Sequence, residues 1–315
     1  MSDEVQDELW PHFVPLWTDL RKIAPGLLLA GGYGLFLKQQ WLISQLHFLG
    51  TPDGNSIVTP TGDKLVVGEI RTLVAIHRWK DQTPRVTKDF DFLISLNLIA
   101  SPEEQRRLHE VLDKHGFKVV PENARWQFSK VIGEGRQVVL DFHAPSPEQK
   151  RDDLRIQARR VKPQPSLGQM GVHGRENPEA TGSELHPFSF KFKELEIVLP
   201  NPVTLTVMKL TAMRDRWSVS QDASKSAEVR ELESRQARKH AEDVCRVIAM
   251  MTREESEATG VVLDTVRGSP VYAAAMTTYS EFFKTDEGWG SQAVAERWQA
   301  EDFQIIQNTL ATWFK

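Results

Sequence analysis

One cysteine, Cys245, is all the thiol this 315-residue chain carries. That excludes a disulfide framework and any cysteine-built metal cluster. A surplus of positive charge is missing too: 39 Lys and Arg stand against 43 Asp and Glu, a net of −4. A surface that is basic all over is therefore excluded, whereas a local basic patch is not. No run approaches the roughly eighteen apolar residues of a membrane span. The opening MSDEVQDELW is acidic where a secretory leader is basic and then apolar. These absences lead to the expectation of a cytoplasmic globular protein with no membrane partner, long enough to bury a sizeable core.

What is present reads as mixed structure first and helices last. Leu9, Phe13, Leu16 and Leu20 have helical spacing, but Pro11 and Pro15 argue against one unbroken helix. Leu27–Ala30 reads as a buried strand and Tyr33–Phe48 as a helix. Between 50 and 85, TPDG and TPTGD surround SIV, KLVV and RTLVAI, the pattern of a hairpin or small meander. VTKDFDFLISL, 86–96, alternates as a strand. SPEEQRRLHEVLDKH, 101–115, is a helix with Ser101 as N-cap, Pro102 in the first turn, Glu104 as capping acid and Gly116 as stop. FKVV, ARWQFSKVI and RQVVLDFHA follow as strands, with GEG a turn between the last two. Residues 144–190, rich in Pro, Gly, Ser and charge, read as a long loop. After the strand ELEIVL come helices from Asn201-Pro202 through Arg216, over about 224–251, and three more within 271–315. The fold class is thus α/β (α+β): a small mixed-sheet core over 1–200, then an all-helical C-terminal domain over 201–315 that contributes to the active site.

Chemistry concentrates at Asp89-Phe90-Asp91-Phe92. Strand alternation puts both carboxylates on one face and both rings on the other. Two neighbouring acids repel, so a cation between them is expected, and oxygen donors of this kind suit Mg²⁺. In VVLDFHAP, Asp141 projects opposite to Val138, Leu140 and Phe142. If its strand adjoins the first, three carboxylates converge, as two-metal phosphoryl chemistry requires. His143 beside it reads as a rim residue. Upstream, Gly31-Gly32 between strand and helix leaves free N–H groups at a positive helix end, an anion site that a backbone without Cβ lets a phosphate approach.

Together these segments resemble the DNA polymerase β-type nucleotidyltransferase superfamily, and within it the nucleotidyltransferase toxin family AbiEii/AbiGii. The resemblance rests on GGYGL at Gly31 and Gly32 and on RVTKDFDFLI at Arg85, Thr87, Asp89 and Asp91. It also rests on NPVTLTVMKLTAMRDR at Lys209 and Arg216, and on RKHAEDVCRV at Lys239 and Asp243. It implies that Asp89 and Asp91, with Asp141, hold Mg²⁺ or Mn²⁺. It further implies that Gly31, Gly32, Tyr33, Arg85, Thr87, Lys209 and Arg216 bind the nucleotide, and that Asp243 orients Lys209 or the acceptor. The implied activity is transfer of NMP from an NTP to the hydroxyl of an RNA acceptor such as a tRNA. The implied role is the toxin of a toxin–antitoxin or abortive-infection system with a cognate antitoxin protein. Lys209 and Arg216, at i and i+7, share one helix face, as cations facing a triphosphate would.

Two features depart from the family. Tyr33 stands where a Ser or Thr follows the glycines, and its hydroxyl lies too far from its own backbone to serve the same phosphate. An insert near 50–84, with Arg71, His77, Arg78 and Lys80, is either a flap over an acceptor or an inert hairpin. A nucleotide-binding protein without transferase activity, and nucleotidylation of a small molecule, are the competing readings.

Overall fold

The computed structural model describes residues 7–48, 56–58, 64–66, 71–82, 89–123 and 125–315. In chain order the elements are α1 (Trp10–Ile23), β1 (Leu28–Leu29), α2 (Gly31–Phe48), β2 (Ser56–Val58), β3 (Lys64–Val66) and β4 (Asp89–Leu93). Then come α3 (Leu96–Ala100), α4 (Pro102–Lys114), β5 (Lys118–Val119), β6 (Gln127–Val131), β7 (Gln137–Ala144), β8 (Leu154–Gln157), β9 (Arg160–Pro163) and β10 (Gly174–Glu176). The chain ends with β11 (Phe188–Phe192), β12 (Leu195–Leu199), α5 (Pro202–Gln221), α6 (Ala227–Ala249), α7 (Arg253–Val266), α8 (Pro270–Phe282), α9 (Trp289–Ala295) and α10 (Ala300–Trp313). The protein is a mixed α/β chain with a mixed sheet and a helical C-terminal part. Among the described residues no helix is long and apolar enough to cross a membrane.

Two compact units emerge, one of Met1–Gly34 with Val86–Pro200 and one of Leu35–Arg85 with Asn201–Lys315. The first is built on a sheet of order β1-β4-β7-β10-β9-β8, with β6 pairing β7 and β5 pairing β6. β7 is its axis. β4 runs parallel to it along one edge, while β6 (antiparallel) and β10 (parallel) share the other. Phe90, Phe92, Leu140, Phe142 and Phe128 alternate to the covered face and are wholly buried. Phe13 and Trp17 of α1 complete this aromatic core, Trp17 stacking on Phe92 at 5.6 Å between ring centroids.

That burial explains why α1 is one helix despite its prolines, contrary to expectation. Pro11 occupies the first turn, where no intrahelical N–H bond is needed, so only Pro15 removes a donor. Phe13, Leu16, Trp17 and Leu20 all reach the core, which outweighs one lost hydrogen bond.

The helix at 102–114 has the anticipated N-cap, the Ser101 hydroxyl accepting from the Glu104 amide at 3.4 Å, but the Ser101 amide donates to the Asn97 carbonyl at 3.0 Å, so Glu104 is not its capping acid. Its C-terminal end meets α1 through Asp19, which accepts from Lys114 (2.7 Å), His115 (3.0 Å) and Lys22 (3.1 Å). Lys114 first, then His115 and Lys22, hold the Asp19 carboxyl well below its ordinary value of 3.8. A lowered acid stabilises the fold at pH above that ordinary value and loses the contribution as pH falls through the folded-state value. The cluster is largely wet, so Asp19→Asn should cost about 1 kcal/mol or less at pH 6. The gap between variant and wild type in urea midpoint should start to narrow as pH drops below 3.8 and close only as pH falls through the lowered folded-state value.

The stretch 144–190 is not one long loop. It contains β8, β9 and β10, which extend the sheet, and short 3₁₀ turns. Its strands are three or four residues long and carry cations on one face, so little apolar alternation marks them.

In the second unit, SIV and KLV form an antiparallel hairpin, β2–β3. RTLVAI does not join it as a strand. Thr72 makes a single bridge to Thr252, and Leu73 and Val74 donate to the carbonyls of Met251 and Ala249, fastening this segment beside the end of α6. Arg78 pairs with Asp302 at 2.9 Å. Helix α7 was not anticipated, although Thr252 and Glu255 make a full capping box. Glu255 also forms a buried ion pair with Lys38 of α2 at 2.6 Å.

Candidate functional site

On the open face of the sheet, register places Asp91 opposite Asp141, and Leu93 opposite His143. One donor atom from each of Asp91, Asp141 and His143 lies within 4.8 Å of the others. Asp89 shares their face but pairs with Val139, one step away, and is not in this three-donor group. Sequence spacing treats Asp89 and Asp91 alike. The β4–β7 register sets Asp91 beside Asp141, and no sequence signal carries that register.

Each member is held. Gln127, across β7 on β6, donates its amide to Asp141 Oδ1 at 2.7 Å, leaving Oδ2 for another partner. Burial raises the Asp141 carboxyl above its ordinary value. The Gln127 bond lowers it, the Asp91 charge raises it again, and His143 and Arg175 oppose that rise. A cation at this point would relieve both the burial and the repulsion. His143 Nε2 lies 3.3 Å from Asp91 Oδ1. Among the described residues its buried Nδ1 has no hydrogen-bond partner. An orphaned lone pair costs less than an orphaned N–H, so the proton belongs on Nε2, donated to Asp91. His143 is thereby a positioning residue that aims the Asp91 carboxylate.

The donors fit a divalent cation. One donor atom from each lies within 4.8 Å of the others, a group that could hold a metal ion at bonds of about 2.1 Å. Two carboxylates with open positions suit Mg²⁺ or Mn²⁺.

Gly31 completes the site. A Cβ there would fall 1.8 Å from Asp91 Oδ2, and the residue holds φ of +66°. The sequence assigns this glycine to phosphate approach; in the fold it first of all clears space for a carboxylate. The adjoining Ala30 amide donates to the Asp91 carbonyl at 2.8 Å, so turn and strand are locked together. Gly32 is buried in the first turn of α2. Tyr33 turns into the core, 1% exposed, packing on Phe13 and Phe90, with its hydroxyl donated to Asp7 at 2.7 Å. It does not reach the open face, and burial pushes its phenol further up. Arg85 and Thr87 lie outside the described residues.

The remaining candidates belong to the second unit. Lys209 of α5 is 5% exposed, its Nζ 2.8 Å from Asp243 Oδ2 on α6. Arg246 lies 3.8 Å from Asp243 and 4.0 Å from Glu242, which Arg297 meets at 3.1 Å. Arg216, half exposed, pairs with both oxygens of Glu233 at 3.1 Å. Each cation of the α5 face thus has an acid from α6. Lys239 is exposed.

Gln127 and Arg175 went unread in the sequence. Alternation in ARWQFSKVI marks the face of Gln127, whereas Arg175 lay in the stretch read as loop. No family model, no curated protein and no solved structure matches the chain.

Proposed function

We propose that the open sheet face is the metal-binding centre of a nucleotidyltransferase. The carrying observation is the convergence of Asp91 and Asp141 around one point, with Gly31 cut back to admit the Asp91 carboxylate. In this reading Asp91 and Asp141 hold Mg²⁺ or Mn²⁺, His143 aims Asp91, and Gln127 aims Asp141. When bound, the cation would supply charge neutralisation on an NTP. The start of α2 at Gly31 and Gly32 offers N–H groups to phosphate. An acceptor hydroxyl oxygen bonds the α-phosphorus, the bond to the α,β-bridging oxygen breaks and pyrophosphate leaves. The hydroxyl proton passes to one of the three carboxylates of this face, Asp89, Asp91 or Asp141. The family resemblance supports an RNA acceptor and a toxin role with a partner antitoxin, and it assigns Lys209, oriented by Asp243, to the phosphates.

Incubation with each labelled NTP, Mg²⁺ and total RNA tests this. Label is expected in RNA, and Asp91→Ala or Asp141→Ala should lower its rate by about 10²–10³-fold, the order seen when one electrostatic stabiliser is removed. NTP binding with no NMP passed to any acceptor and no pyrophosphate released would overturn transfer in favour of a nucleotide-binding protein. Label found only in small molecules would overturn the RNA acceptor.

A further inference from the structure

Along the same sheet face, the charge changes sign one strand beyond the acids. Arg175 on β10 is the register partner of both His143 on β7 and Arg160 on β9. β9 pairs onward to β8 through Arg160 with Gln157 and Lys162 with Arg155. Register partners point to one face, and residues two apart share it. Arg175, Arg160, Lys162 and Arg155 therefore form a basic stripe that starts beside the acid cluster and ends at the edge strand β8.

The stripe is costly as folded. Arg155 and Lys162 face each other directly, a like-charge pair that weakens a hairpin. Burial, then Arg160 and Arg155, depress the Lys162 ammonium. Lys162 donates to Gln157 Oε1 at 2.6 Å rather than to an acid. Among the described residues no ion pair relieves any of the four, whereas Arg151 nearby is paired with Asp153 at 2.7 Å. The Arg175 guanidinium lies 5.2 Å over the ring of half-buried Trp126, a flat surface of the kind on which bases stack. At the edge, a cleft of about 450 Å³ adds Lys150 and Arg151 to its rim beside Arg155.

We propose that this stripe binds the phosphodiester backbone of a single-stranded nucleic acid and leads its end to the acid cluster, a direction that rests on the nucleotidyl-transfer reading. Three strands spaced about 4.8 Å apart carry the cations away from the acids. That is the form of a track for an extended polyanion rather than of a socket for one triphosphate. Trp126 under Arg175 favours a nucleic acid over an acidic peptide.

The test is fluorescence anisotropy of full-length protein with a short labelled single-stranded RNA, without metal or NTP. Single-stranded DNA and poly-glutamate of equal charge run in parallel. Arg155→Glu/Arg160→Glu/Lys162→Glu should weaken RNA binding about tenfold or more and cut the slope of log K against log salt by about 2, for three lost contacts. Arg155→Lys/Arg160→Lys should retain most of the affinity, and an unchanged urea midpoint certifies the fold of each variant. A wild type that does not bind RNA, a triple variant that binds as wild type does, or equal affinity for poly-glutamate overturns the proposal. RNA preferred over DNA adds 2′-hydroxyl contacts to the backbone reading, while equal affinity supports backbone alone. Asp91→Ala separates the two readings: it should keep RNA binding while losing transfer. Stripe-dependent RNA binding with no transfer to any acceptor would sink the enzyme reading alone, and transfer to RNA indifferent to the stripe would sink the track alone.

Discussion

Gly31→Ala is expected to abolish divalent-cation binding and to destabilise the fold by about 2 kcal/mol or more. An alanine held at φ of +66° costs about 1–2 kcal/mol by itself. Its methyl would stand 1.8 Å from Asp91 Oδ2 and 2.6 Å from Cγ, so one of the two groups must leave. The backbone is poorly placed to yield. The Ala30 amide is tied to the Asp91 carbonyl, and β1 pairs β4 through Leu29 with Phe92. The Asp91 side chain is the soft element, and its rotation breaks the alignment with Asp141 and His143. Mn²⁺ titration followed by electron paramagnetic resonance, alongside urea unfolding, reads both effects. Gly34→Ala is the control. Its Cβ would crowd Leu199 and the Leu29 carbonyl at 3.0 Å and leave Asp91 untouched, so it should lose stability and keep the cation. A Gly31→Ala protein that binds Mn²⁺ like the wild type would show that the glycine does not serve the acids.

This glycine marks where a sequence stops being readable. That Gly31 needs freedom from a Cβ is visible in AGGYG; what occupies the space is a side chain sixty residues on, placed by strand pairing. The alternations DFDF and VVLDFHA do give two strands with acids on one face and Phe90, Phe92, Leu140 and Phe142 on the other, because a period of two is local. Which acid meets Asp141 is not local, and Asp91 rather than Asp89 is set by register alone. Ser101, Pro102 and Gly116 bound a helix through chain-local capping chemistry, so that helix was legible to within a residue. The strands at 154–157, 160–163 and 174–176 were not. Their exposed side carries Arg and Lys, and Gly174 is admitted only because Ala144 packs where its Cβ would be, at 2.4 Å. Tyr33 misled for a related reason. Its place after the glycines suggests a phosphate, whereas Phe13 and Phe90 claim the ring for the core.

The second large effect lies in the chain Lys209–Asp243–Arg246–Glu242–Arg297, buried except at exposed Arg297, in which charges alternate in sign. Asp243 is 1% exposed and, among the described residues, meets Lys209 at 2.8 Å and Arg246 at 3.8 Å. Asp243→Asn leaves both cations buried without their shared anion and should cost about 3–5 kcal/mol. Lys209→Met leaves Asp243 with Arg246 and replaces the lysine stem with one of similar shape, so it should cost less. The double variant Lys209→Met/Asp243→Asn removes the orphaned ammonium as well, and its loss should fall short of the sum of the singles by about 0.5–3 kcal/mol. Urea unfolding of the four proteins closes this cycle. Transfer activity then separates packing from chemistry. If Lys209 serves only the fold, the activity of each variant follows its stability. If Lys209 meets phosphate, as the family resemblance assigns, Lys209→Met and the double variant stay inactive even where folded. Full transfer by folded Lys209→Met would remove this lysine from the nucleotide site and leave the ion pair as a structural tie between α5 and α6.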